Sequence, residues 1–469
     1  MSDLELVTAV DTFSTSEAYQ RLDQLRHQSD RGTGSNAGHP SYTVDQAAAQ
    51  MTRLGFHYTD KDGNGKVALT YSFTQAQPAL FDTGLGDFVV FNAQQQAQTK
   101  LALRGWSDVA NLTFTEAAQG GEGHLSMASY SQSKGEAAFA YFPSGTVRDG
   151  ESWYWVGPAY TENAQAGVNN YGGQTLLHEI GHTLGLAHPG DYDAWNGILS
   201  YDDDATYAED SRGYTVMSYW DEYFTGQEFT NAYASVPLMD DIAAMQLLYG
   251  ANTDTRAGGT IYGFNSNSNR VETTATSADS TLIFSVWDGG GIDTLDFSGY
   301  NMDQRINLNE ASFSDVGGLV GNVSIAKGVT LEKAVGGGGN DLLLGNAVDN
   351  WLTGNAGDDL LAGGGGADKL WGGEGADTFV YFSQSDSVVG AVDRLMDFVT
   401  GQDHIDLTAL NTDSAAPIHF SNTLDGTAGA AVLRGASYGT HLAIDFNGDH
   451  HADFAIKILG EAQVSDFVV

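Results

Sequence analysis

Apolar and polar residues alternate from Val67 to Phe73 (VALTYSF), the pattern of a half-buried strand. Short apolar runs at Leu112–Glu116, His124–Tyr130, Ala137–Tyr141 and Trp153–Val156 predict further strands. Helical periodicity appears between them. Ser14–Arg26 places Leu22 and Leu25 on one face, with Ser14 or Ser16 as the cap. Val44–Met51 follows Thr43, another capping residue. Gly86–Arg104 is rich in Gln and Ala and reads as a helix, and Tyr171–Pro189 contains one more. Pro237–Leu248 is a helix with Pro237 in its first turn and Gly250 as its stop. Asp60–Gly65 (DKDGNG) opens like an EF-hand loop, but Tyr71 occupies the position of the twelfth-residue Glu, so it is read as a turn into the following strand.

The pattern changes near residue 250, where Gly, Asn, Asp and Thr take over. From Gly336 the chain repeats every nine residues: GGGGNDLLL, GNAVDNWLT, GNAGDDLLA, GGGGADKLW, GGEGADTFV. Gly opens each repeat, at 336, 345, 354, 363 and 372. Asp341, Asn350, Asp359, Asp368 and Asp377 hold the sixth position, and Leu343, Leu352, Leu361, Leu370 and Phe379 the eighth. Such a unit is a Gly-permitted turn followed by a three-residue strand with one inward apolar side chain. Stacked turns surround cations with hard oxygens. The predicted organisation is a peripheral segment 1–40, an α+β (α/β) domain 41–250 and an all-β parallel solenoid 251–469.

Composition narrows the function. With 20 Lys and Arg against 60 Asp and Glu, the formal charge is -40, which argues against nucleic acid or anionic membranes as partners. It fits a chain neutralised by bound cations. No apolar run is long enough to insert in a membrane, and the N-terminus lacks the basic and apolar regions of a secretory signal. The absence of cysteine excludes disulfides and thiolate metal sites.

The chemistry is concentrated in YGGQTLLHEIGHTLGLAHP, residues Tyr171–Pro189. His178 and His182, four apart, share a helix face and grip one metal ion. Glu179 reaches a metal-bound water without being a ligand. Gly185 permits the turn that returns His188 as a third ligand. Three protein ligands leave zinc one open position, as in catalytic sites.

Thr215–Trp220 (TVMSYW) follows about thirty residues downstream. With HExxHxxGxxH it gives the chain a resemblance to the metzincin metallopeptidases. Pro189 and Gly190 after the third His, the SYW segment and the nonapeptide array make it similar to the serralysins, secreted zinc proteases with a calcium-bound β-roll. The resemblance covers the chain from about residue 40 to Val469. It implies that His178, His182 and His188 bind Zn²⁺, that Glu179 is the general base and that Met217 floors the site. It also implies that Tyr219 is a further zinc ligand that swings to the oxyanion, the negative oxygen formed during peptide attack. Ala137, Ala138, Phe139, Ala140 and Tyr141 resemble the edge strand that pairs with a peptide substrate.

The resemblance further implies several Ca²⁺ ions, each between one turn and the turn two repeats later. Gly337, Gly339 and Asp341 pair with Gly354, Ala356 and Asp359. Asn346, Val348 and Asn350 pair with Gly363, Gly365 and Asp368. Asn355, Gly357 and Asp359 pair with Gly372, Glu374 and Asp377. Gly364, Gly366, Gly373 and Gly375 complete these turns. Asp288, Gly290, Gly291 and Asp293 match an entry site with Arg256, Gly258, Thr260, Thr330 and Glu332, while Asp386, Asp393 and Asp403 close the far end. Asp445–Asp453 (DFNGDHHAD) is read as one more calcium loop or a polar hairpin. The terminal Asp466–Val469 (DFVV) resembles an export signal for an ABC-type secretion apparatus, and its pattern is also that of a last strand. The expected protein is a monomeric extracellular endopeptidase of broad specificity. The competing class is a calcium-dependent adhesin with an inactive protease domain, against which the intact Glu179 and Tyr219 argue.

Overall fold

The computed structural model describes residues 15–193, 197, 199–412 and 416–469. Ser14, one of the two candidate caps, lies outside them. The chain forms two compact units: Gln28–Leu331, and the described residues up to His27 together with Glu332–Val469.

Helix α1 (Glu17–His27) belongs to the unit containing the C-terminus. Ser16 Oγ accepts the Tyr19 amide at 2.9 Å and so caps it. Leu22 and Leu25 are buried against Leu342, Leu360 and Val380.

The other unit opens with the antiparallel pair β1 (Ser35–Asn36) and β2 (His39–Pro40), followed by α2 (Val44–Met51). Thr43 and Gln46 form the reciprocal capping box of α2. Strands β3 (Val67–Phe73), β4 (Phe88–Val89), β5 (Leu112–Glu116), β6 (Gly123–Tyr130), β7 (Ala138–Ala140) and β8 (Glu151–Trp155) build one sheet. Its order is β5-β3-β6-β8-β7, with β4 beside β6. The main strands run parallel, and β7 lies antiparallel to β8 at the edge. Helix α3 (Ala93–Val109) packs on α4 (Tyr171–Thr183), where buried Trp106 donates Nε1–H to the Leu177 carbonyl at 3.3 Å. The short α5 (Tyr201–Asp204) follows α4, and α6 (Met239–Tyr249) closes this part.

Two helix starts differ from the sequence reading. α3 begins at Ala93 rather than Gly86 because Asn92 caps it, and the preceding residues supply β4. α6 begins at Met239, with Pro237 before it, because Asp241 accepts the Leu238 amide at 2.9 Å and fixes the N-cap there.

Short strands complete this unit: β9 (Ile261–Gly263), β10 (Phe284–Val286), β11 (Thr294–Asp296), β12 (Arg305–Asn307), β13 (Phe313–Ser314) and β14 (Val323–Ile325). β9 and β11 are parallel neighbours, as are β10 and β14.

In Glu332–Val469 the nonapeptides alternate between two sheets. β15 (Lys333–Val335), β17 (Trp351–Ala356), β19 (Lys369–Glu374) and β21 (Asp393–Leu395) are parallel neighbours in one. β16 (Leu342–Leu344), β18 (Leu360–Ala362), β20 (Thr378–Val380) and β22 (His404–Asp406) form the other. This is a parallel β-roll, with the eighth-position residues Leu343, Leu352, Leu361, Leu370 and Phe379 buried inside. The first sheet continues through β26, β25, β24 and β23, which are Phe454–Ile458, Gly439–Asp445, Ala430–Ala436 and His419–Phe420. The terminal β27 (Phe467–Val468) pairs in parallel with β22.

Candidate active site and cation-binding turns

Helix α4 starts where Asn170 Oδ1 accepts the Gly173 amide at 2.9 Å. It ends in a turn at Gly185, whose φ is +112°. A Cβ there would overlap the carbonyl oxygen of Phe56, so only glycine makes this turn. The turn brings His188 back to α4. Its Nε2 lies 3.2 Å from Nε2 of His178 and 3.1 Å from Nε2 of His182.

The other ring nitrogens explain this convergence. Nδ1–H of His178 donates to the Val216 carbonyl at 2.8 Å, that of His182 to Leu186 at 2.6 Å, and that of His188 to Tyr192 at 2.8 Å. These bonds place the proton on Nδ1, so three Nε2 lone pairs face one another. They repel unless a cation sits among them. Nitrogens about 2.0–2.1 Å from a tetrahedral zinc stand about 3.3 Å apart, close to the spacing seen. Burial, with mutual repulsion between the rings, holds the His178 and His188 pKa values well below the usual range. Burial lowers His182 to about 4. The rings are therefore neutral and fit to ligate. The residues fit zinc.

Glu179 points into the same space. Its Oε2 has no hydrogen-bond partner, and burial raises its carboxyl to about 8. A cavity of about 290 Å³ lies on one side, lined by Ala137, Ala138, His178, Glu179, Arg212 and Tyr219. Another of about 370 Å³ on the other side includes Phe139, Ala140, His182 and His188, and again Glu179 and Tyr219. The β7 edge therefore runs along the site with one side unpaired in its sheet. Tyr141, just past β7, donates its amide to the Glu151 carbonyl at 2.9 Å. The Tyr219 ring stands 4.5 Å from His188 and 6.0 Å from His178. Met217 is fully buried beneath α4, with its sulfur against Gly181.

Sequence reasoning missed the supports of this site. Asp241 accepts Thr215 Oγ1 at 2.5 Å and the Val216 amide at 2.8 Å, fixing the carbonyl that orients His178. Asp210 accepts Tyr192 Oη at 2.8 Å and Ser218 Oγ at 2.7 Å, and Tyr192 stacks on His188. Arg53 donates to the His188 carbonyl at 2.7 Å. These partners are distant in sequence and carry no spacing rule.

In the roll, each sixth-position Asp folds under its own turn, where a Cβ on Gly354, Gly363 or Gly372 would collide with it. One carboxylate oxygen is used eighteen residues away. Asp359 Oδ1 accepts the Asp341 amide at 2.7 Å, Asp368 Oδ1 the Asn350 amide at 2.7 Å, and Asp377 Oδ1 the Asp359 amide at 3.0 Å. Asp393 and Asp403 accept the amides of Asp368 and Asp377 at 2.8 and 3.1 Å. The second oxygen, Oδ2, of Asp359, Asp368, Asp377 and Asp393 is buried without a hydrogen-bond partner. Burial pushes these carboxyls up to about 8, 7, 6 and 9 respectively. Buried, unpaired carboxylate oxygens beside backbone carbonyls suit a hard divalent cation.

Gly337 gives its amide to Asp341 at 2.5 Å, and Asn346 gives its amide to Asn350 at 2.7 Å. Val348 is exposed. Thr260 donates its amide to Asp293 at 2.7 Å and its hydroxyl to the Gly258 carbonyl at 2.9 Å. Asp288 accepts the Gly290 amide at 2.8 Å, and Arg256 donates to the Trp287 carbonyl at 2.6 Å. Thr330 is exposed, and the Glu332 carbonyl accepts the Trp351 amide at 2.8 Å. Asp386 accepts the Phe382 and Ser383 amides at 2.7 and 3.1 Å. Asp445 and Asp453 each accept amides inside their own loop, from Gly448 at 2.7 Å and Phe446 at 2.8 Å. Asp60, Asp62 and Glu122 also approach one another, and Asp60 accepts the Gly63 and Gly65 amides, both at 2.7 Å, as a turn into β3.

The fold and the histidine site define a metzincin-type zinc peptidase joined to a β-roll. Residues 64–199 match the family described as Matrixin, and residues 251–469 match Peptidase M10 serralysin C terminal. The chain is 57% identical to Metallopeptidase AprA of Pseudomonas marginalis over 480 aligned residues, covering 100% of both chains. It is 56% identical to Metalloprotease AprA of Pseudomonas entomophila, over 97% of this chain and 96% of that one. Serralysin C of Dickeya chrysanthemi is 50% identical, over 97% and 96%. The chain belongs to the serralysin family of zinc metalloendopeptidases.

Proposed function

We propose that Glu179 and Tyr219 perform the proton transfer and oxyanion stabilisation of peptide hydrolysis at this site. The convergence of three unprotonated Nε2 atoms beside the unpaired Glu179 Oε2 carries the reading. His178, His182 and His188 hold zinc, which when bound polarises the peptide carbonyl and makes water a better nucleophile. A neighbouring cation favours the charged form of Glu179. Glu179 then accepts the proton of the attacking water and delivers it to the leaving amine. Tyr219, whose ring lies 4.5 Å from that of His188, would add a further oxygen donor for the metal and, turned towards the substrate, would donate to the developing oxyanion. An extended substrate adds to the open edge of β7 through main-chain hydrogen bonds, which recognise many sequences and give broad specificity. Hydrolysis of casein that stops on zinc chelation and returns with added zinc tests the reading. Hydrolysis that is insensitive to chelation counts against it.

Structural calcium is proposed for the turns of the roll and for the Asp288–Asp293 loop, supported by the orphaned oxygens of Asp359, Asp368, Asp377 and Asp393. The functional division near residue 250, the peripheral role of 1–40, monomeric state and extracellular location belong to the same reading. A chain of charge -40 repels itself where calcium is scarce and folds where calcium is plentiful. That supports export in an unfolded state, with Asp466–Val469 read by an ABC-type apparatus.

A further inference from the structure

All five Lys and Arg residues of Glu332–Val469 lie in one row. They are Lys333, Lys369, Arg394, Arg434 and Lys457, in a segment that also holds twenty Asp and Glu. Strand register aligns them. Trp351 lies opposite both Lys333 and Lys369, and Lys369 lies opposite Arg394. Arg394 lies opposite Lys457, Lys457 opposite His441, and His441 opposite Arg434. Register partners share a face, so seven side chains from seven adjacent strands stand on one side of the sheet. Their chain neighbours Ala334, Leu352, Leu370, Leu395, Ile458 and Leu442 are buried, so this side is the outer one. Every member of the row is half-buried or exposed.

The row contains no carboxylate. The next outward residues on three of its strands, Val335, Thr353 and Trp371, add none. The ammonium groups of Lys333 and Lys369 lie 4.0 and 4.2 Å from the Trp351 ring centroid, which holds both in line. The Trp371 ring stands edge-on at 6.5 Å. Like charges directly opposite across strands are destabilising, and twenty carboxylates were available to alternate with them. Stability alone does not explain Lys369, Arg394 and Lys457 side by side.

At about 4.8 Å per strand the row is about 29 Å long and one residue wide. That shape suits one extended polyanion. A nucleic-acid strand needs open aromatic faces for its bases, and those of Trp351 are occupied by ammonium groups. A broad anionic membrane would meet the exposed carboxylates of Asp349 and Glu374 at neighbouring turns. A linear chain of sugar acids has one carboxylate per residue at nearly the strand spacing and a C–H face to lie on the rim of Trp371. We propose that this outer face binds a linear, uronic-acid-type polysaccharide along the row from Lys333 to Arg434, independently of the peptidase cleft.

The test uses the full chain loaded with zinc and just-saturating calcium, titrated calorimetrically at low salt with an oligogalacturonate of about eight residues, long enough for the row. Binding is expected for the wild type and absent with neutral dextran. The double variant R394Q/K457Q should bind at least about tenfold more weakly, and K369Q should weaken it alone. K369R should restore affinity, and K134Q, outside the row, should leave it unchanged. Peptide hydrolysis and melting temperature are measured on each variant to establish that the fold is intact. The proposal is overturned if the wild type does not bind the oligomer or if R394Q/K457Q binds it equally well. It is also overturned if single-stranded DNA or phosphatidylglycerol vesicles bind more tightly through the same residues.

Discussion

Asp241 accepts the amide of Val216 at 2.8 Å, and the carbonyl of Val216 accepts Nδ1–H of His178 at the same distance. A buried carboxylate on α6 thus sets the tautomer of a ligand on α4. Asp241→Asn leaves one acceptor oxygen where two are used, so its amide N–H₂ faces either the Thr215 hydroxyl or the Val216 and Leu238 amides, and this chain of bonds loosens. Zinc affinity, measured by chelator competition, is expected to fall about 10–100-fold, as for other partners that orient a ligand. Unchanged affinity would show that Asp241 only holds α6.

The same residue predicts a pH dependence. Burial raises its carboxyl to about 7. An unfolded Asp titrates near ~3.9, so between these values the folded chain holds the extra proton. Stability from this group is fully present below the unfolded value and is lost as the pH rises towards about 7. Urea unfolding across this range should show a falling component in the wild type that is missing from Asp241→Asn.

Gly185 carries φ +112° beside the Phe56 carbonyl oxygen. Gly185→Ala is therefore expected to cost at least about 1–3 kcal/mol and to displace His188. Thermal melting and zinc content per chain check this together. A variant with normal zinc content would contradict the assigned role of the turn.

The roll makes stability depend on calcium. Melting temperature should rise with free calcium, by about 1.4 kcal/mol of stability per tenfold concentration for each site whose occupancy depends on folding. Asp359→Asn and Asp368→Asn, which remove buried oxygens lacking partners, should shift the curve to higher calcium. Melting insensitive to calcium would remove the basis for those sites.

Tyr219 lies beside His188 and lines both cavities. If its hydroxyl serves the transition state, Tyr219→Phe lowers kcat roughly 10²–10³-fold with little change in KM. A change confined to KM would assign it to substrate binding instead.

The peptidase helix and the roll were legible because each rests on local periodicity. His178 and His182 share a face by spacing, and the strands of the roll recur with the period of nine visible in Gly336–Val380. The starts of α3 and α6 were not legible, because Asn92 and Asp241 choose between local alternatives through their caps. Asp210, Arg53 and Asp241 act across long sequence separations that no motif encodes. The basic row was hidden for the same reason: its members come from Lys333 to Lys457 and meet only through register. Net charge argued only against nucleic acid and anionic membranes, and it averages away the segregation of charge onto one face.

Glu179→Gln tests the central claim most directly. The variant keeps the size of the side chain and the three histidines, so it should bind zinc like the wild type. Peptide hydrolysis by the zinc-loaded variant should fall at least about 10²–10⁴-fold, the usual contribution of a general base. Full zinc content with wild-type hydrolysis would contradict the account.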